Sequence, residues 1–251
     1  MSRVRPPDNI EIASLKKKQV AQFDVMAPGE GTPWEDRGTH GTVGAFFKTC
    51  IRSLHSAGKM TEQIRRPETN SDAVAFLVGC AICWGLSALL HGLILYPHYR
   101  DLPDMDFDPT HYFVYCVIGM LAAAGATWAL FTLYTMIYRK LVAQEKTQTI
   151  LPQVLVYNVS AYALGPSLLA LIPFAGPPLA ILLIGVNMVA VGTKRLRLRF
   201  SAAAIDAILS LIVVLVVGLA GYFVGGIILH QVYDPPSTPI TGPQVLSAPG
   251  Q

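Results

Sequence analysis

Five apolar stretches separated by short loops of alternating charge constrain this 251-residue chain more than any other feature. A helix rises ~1.5 Å per residue, so about 20 apolar residues cross a hydrocarbon core of ~30 Å. Segments 73–96, 112–138, 150–173 and 203–229 meet that length. A further segment, 174–193, is weaker, because Gly176, Pro177 and Pro178 crowd its entrance. Residues 150–193 therefore read as a hairpin around the uncharged turn IPFAGPP, either two full crossings or a re-entrant pair. With 52% hydrophobic and 14% charged residues, the composition suits a membrane bundle better than a soluble core. The expected fold is all-α, a polytopic bundle of five transmembrane helices over residues 73–230.

Loop charge gives the direction. Segment 97–111 carries Asp101, Asp104, Asp106 and Asp108 against Arg100. Segment 139–149 carries Arg139, Lys140 and Lys146 against Glu145, and 193–201 carries Lys194, Arg195, Arg197 and Arg199 without an acid. Lys and Arg mark cytoplasmic loops. Together with Lys48, Arg52, Lys59, Arg65 and Arg66 before the first span, the basic segments fall on one side if all five stretches cross. The N-terminus is then cytoplasmic and the C-terminus outside. Tyr96, Tyr112, Tyr115, Tyr138, Tyr222 and Tyr233 lie near span ends, as an aromatic belt requires. The first twenty residues hold no apolar core, so the first span is expected to act as both signal and anchor.

The two ends are polar. Residues 1–43, broken by Pro6, Pro7, Pro28 and Pro33, read as a disordered cytoplasmic tail, and 234–251 as a disordered outer one. Between the first tail and the first span, residues 44–66 change pattern. Phe46, Phe47, Cys50, Ile51, Leu54, Ala57 and Ile64 recur at helical spacing, with Lys48, Arg52, His55, Lys59 and Glu62 largely on the other face. A basic amphipathic helix just before a span lies in the interface plane or docks on the cytoplasmic ends of the bundle. In the first case Trp34, Phe46 and Phe47 meet the acyl boundary, while Lys48, Arg52 and Lys59 meet anionic lipid.

Candidate chemistry is sparse. Asn158, Asn187 and Asp206 are polar residues inside spans, all roughly 7–12 Å below the cytoplasmic boundary at ~1.5 Å per residue. Two roles stay open for such a cluster, helix-bridging structure and an ion or proton site. Cys80 and Cys83 form a C-x-x-C, but they lie in a span with no second pair to complete a metal site, so neither metal nor disulfide is expected. Asp104, Asp106 and Asp108 begin like an EF-hand loop. Pro109 then stands where glycine is needed and Tyr115 where the closing glutamate belongs. Ser167 has no base and orienter beside it in the pattern, and no P-loop, H-E-x-x-H or G-x-S-x-G occurs. No catalytic residue and no cofactor are expected. A net charge of +3 without basic–aromatic runs points away from nucleic acid. Small-residue stripes, Gly221/Gly225 and Gly119/Ala123/Thr127, serve either the bundle's own packing or a homo-oligomer face.

A Pro33-Trp34-Glu35 peptide precedes FFKTCIRSLHSAGKMTEQIRR, and the third span contains Tyr162-Ala-Leu-Gly-Pro166-Ser-Leu-Leu. With the five-span layout, these features resemble the bacterial branch of the YIP family (named from Ypt/Rab-interacting proteins) across residues 33–230. The resemblance implies an integral protein of the bacterial inner membrane, non-enzymatic, with Tyr162 and Pro166 shaping the third span. Eukaryotic members are linked to Rab GTPases and carry an Asp-Leu-Tyr-Gly-Pro peptide before the first span, where this chain reads PETNSD. The expected function is membrane organisation or recruitment of a protein partner through the cytoplasmic N-terminal region. A small permease or ion-coupled transporter using Asn158, Asn187 and Asp206 is the alternative.

Overall fold

The computed structural model describes residues 30–65, 69–100, 108–144 and 151–233. The expected tails at 1–29 and 234–251, most of the acidic loop and the Glu145–Lys146 part of the basic loop lie outside them. The described residues hold helices and no strand. The chain divides into two compact units, Met1–Val214 and Leu215–Gln251.

In the first unit a single helical turn, Arg37–His40, leads into α1 (Thr42–Glu62), which is kinked at Ser56. Then come α2 (Ser71–Arg100), α3 (Pro109–Gln144), α4 (Gln153–Ala161) and α5 (Gly176–Lys194). The last helix, α6 (Phe200–Tyr233), begins in this unit. The second unit holds its helical residues from Leu215 onward. Among the described residues, four helical segments are long and apolar enough to cross a membrane: Ser71–His98, Pro109–Ala143, Gln153–Leu171 and Gly176–Lys194. Phe200–Val216 is a shorter apolar stretch.

Two of these segments depart from a plain helix reading. The crowded entrance of the fourth is the start of a 19-residue helix. Pro177 and Pro178 sit in the first turn, where a missing N–H leaves no bond unmade and a fixed φ suits the helix. The third segment is α-helical only to Ala161 and continues as a 3₁₀ helix over Tyr162–Leu171 around Pro166. Proline removes an amide donor and clashes with the preceding turn of an α-helix. Nine α residues at ~1.5 Å and ten 3₁₀ residues at ~2.0 Å reach about 33 Å, enough for the hydrocarbon core.

A 3₁₀ run of this length needs outside support. One face of α2 supplies it. Cys80 Sγ donates to Leu164 O at 3.5 Å, Trp84 Nε1 to Ser167 Oγ at 3.0 Å and Ser87 Oγ to Ala170 O at 2.6 Å. Helical spacing on α2 thus meets a spacing of three on its parallel neighbour. The opposite side of α2 presents Val74, Val78, Ile82, Leu86 and Leu90, all exposed at intervals of four. Leu182 and Val186 on α5, with Ile205, Leu209 and Ile212 on α6, are exposed as well. A solvated protein does not leave apolar faces of this extent in water, and a bilayer covers them.

Candidate functional site

The site grows from one peptide, Thr32-Pro33-Trp34-Glu35. Thr32 N donates to Glu35 Oε2 at 2.7 Å, and Glu35 N donates to Thr32 Oγ1 at 3.3 Å. This reciprocal pair has the form of a capping box and closes the turn over residues 32–36, just ahead of Arg37–His40. Glu35 also accepts from the backbone N–H of Arg65 at 3.1 Å, while Arg65 bridges to Asp36 at 2.8 Å and to Glu30 O. Burial pushes the Glu35 carboxyl up, and the Thr32 and Arg65 amides oppose that shift. Arg37 spans to Asp72 at 2.8 Å and lies 5.3 Å from the centre of the Trp34 ring. Residues 30–41, which composition assigns to the tail, are therefore clasped to the far end of α1 and the start of α2.

Trp34 is the plug of this clasp. It is 3% exposed, its Nε1 donates to Asp72 O at 2.9 Å, and its ring meets Phe46 and Phe76 edge-on. Phe76 in turn stacks on Tyr162 at 5.1 Å, and Thr32 Oγ1 donates to the Tyr162 hydroxyl at 3.2 Å. The structure thus joins Trp34, Phe46 and Tyr162, three residues singled out separately in the sequence, through Phe76. Pro166 lies one turn farther along the 3₁₀ segment and is also buried.

From this cluster α1 runs across the bundle. Phe46 lies against α2, where a Cβ at Gly79 would come within 2.5 Å of its ring. Cys50 and Ser53 reach the 3₁₀ segment at Gly165, where an added Cβ would collide with the Ser53 side chain. Asn187 Nδ2 on α5 donates to Ser53 O at 3.2 Å, and Lys194 contacts Gly58. Burial pushes the Cys50 thiol up, which leaves it an unreactive packing group. Ser53, Phe76 and Gly165 were not visible as site residues. Thr-x-x-Glu at 32–35 was the available signal for the clasp.

Before its kink α1 is divided into three strips. Ala45, Thr49, Cys50 and Ser53 are buried against the bundle. Val43, Phe47 and Ile51, at i, i+4 and i+8, are exposed at 70%, 42% and 48%. Lys48, Arg52 and His55 form a third strip and are exposed too. Lys48 Nζ lies 3.4 Å from His40 Nδ1. Lys59, beyond the kink, is exposed in the last turn.

The polar residues of the spans follow separate courses. Asn158 Nδ2 donates to Thr69 O at 3.0 Å and Val154 O at 2.9 Å, which ties α4 to the entry of α2. Asn187 serves α1, as above. Asp206 is fully buried, and among the described residues its carboxyl has one hydrogen-bond partner, Ser210 Oγ, at 3.4 Å from Oδ1. Among the described residues no hydrogen bond joins these three. No family model matches the chain, and no curated protein or solved structure matches it.

Proposed function

We propose that this chain is a non-enzymatic integral membrane protein of five spans, YIP-like in type, with its N-terminus cytoplasmic and its C-terminus outside. Its N-terminal region lies along the inner leaflet, where it organises anionic lipid or presents a surface to a protein partner. The carrying observation is the three-strip division of α1. A docked helix needs one buried strip and one polar one. The extra apolar strip of Val43, Phe47 and Ile51, set between the seat and the basic strip, suits acyl chains below and phosphate headgroups above. α1 is then both docked, along its buried strip, and interfacial, along its exposed ones. Phe47, rather than the buried Trp34 or half-buried Phe46, then carries the lipid contact.

Nitroxide labels on single cysteines test this reading in the full chain reconstituted with anionic lipid. Labels at Phe47→Cys and Ile51→Cys are expected to relax with oxygen, and those at Lys48→Cys and Arg52→Cys with a water-soluble nickel chelate. Equal chelate access at all four positions would overturn the interfacial placement. The transporter alternative draws its support from Asp206 alone, since Asn158 and Asn187 spend their donors on backbone carbonyls.

A further inference from the structure

We propose that Asp206 is a proton-binding site buried in the helical bundle, carrying its proton at neutral pH. This inference is independent of how α1 meets lipid. Asp206 lies about 9 Å into α6, six residues after Phe200 at ~1.5 Å each, and has no exposed surface. Its Oδ2 is buried without a hydrogen-bond partner among the described residues. An ionised carboxylate is an acceptor on both oxygens, and an unpaired one in such surroundings neutralises instead.

The described neighbours offer a charged carboxylate little. Ser210 has one hydroxyl hydrogen, and it points to the Asp206 carbonyl O at 2.7 Å. Its contact with Oδ1 is the longer one, at 3.4 Å, so the hydroxyl donates only weakly to the carboxyl. Among the described residues, Tyr134 and Tyr138 of α3 are titratable groups that interact with Asp206. The Tyr134 hydroxyl already donates to Met188 O at 2.8 Å, so its hydrogen is committed. No ionisable side chain occurs on α5 before Lys194. Arg195, in the link to α6, has Glu62 and Arg197 as its charged neighbours. Among the described residues no cation is paired with Asp206, and a proton is the positive charge that fits.

Infrared difference spectroscopy of the reconstituted full chain tests the assignment. Wild type minus Asp206→Asn at neutral pH is expected to show a protonated-carboxyl carbonyl band. Carboxyl-¹³C aspartate in the wild-type chain should shift that same band, which needs no variant to fold. Absence of an isotope-sensitive acid band at neutral pH would overturn the proposal. So would a band that disappears when sodium is added at fixed pH, because the site would then favour a metal cation over a proton.

Discussion

Gly165 shows how little room separates α1 from the span beneath it. A side chain there meets Ser53 and approaches the Cys50 backbone, which cannot retreat without lifting α1. Gly165→Val is expected to cost about 1–3 kcal/mol as an overpacked site, read as a lowered Tm in detergent. Trp34→Ala removes the plug of the clasp and should cost about 3–5 kcal/mol, the range for a buried aromatic truncated to alanine. Glu35 carries a pH dependence of defined sign. Its folded carboxyl holds a proton more tightly than the unfolded one, so the folded state binds more protons between the two values. Stability from this group is greatest below the ordinary glutamate range and falls as pH rises toward the folded value. Glu35→Gln should flatten that slope, and an unchanged Tm–pH curve in the variant would contradict it.

At the scale of the elements, the apolar segments were legible because hydrophobic length is read directly from sequence, and Ala73–Tyr96 and Tyr112–Tyr138 fall inside α2 and α3. The doubled prolines at 177–178 look like a weakness in sequence, but position within a helix, not presence, decides what proline does. Pro166 was marked as shaping its span, but the change of helix type was hidden. It depends on hydrogen bonds from Trp84 and Ser87, more than 80 residues earlier in the chain. Trp34 was placed at the membrane surface for a similar reason, since Phe76 and Asp72 lie beyond any local pattern. Pro166→Ala restores an amide donor and should let α4 continue as α-helix. Ten residues at ~1.5 instead of ~2.0 Å would shorten the segment by about 5 Å. A spin-pair distance between its ends measures this, and an unchanged distance would mean that α2, not proline, dictates the 3₁₀ form.

For the whole molecule, the number of crossings is the property on which topology turns. Five crossings put the ends of the chain on opposite sides of the membrane, and four put them on the same side. Reporters fused before Met1 and after Gln251 are expected to be active in opposite compartments, and like activity would remove α6 from the set of spans.

The seat of α1 has a consequence for how the protein is made. Ser53 finds its partner on Asn187, 134 residues later in the chain. At roughly 5–20 residues per second, α1 is synthesised some 7–27 s before that partner exists. α1 therefore completes its seat only after α5 has been made. The bond between Asn187 and Ser53 then reports that α5 is in position, which makes the seating of α1 a checkpoint on assembly up to that helix.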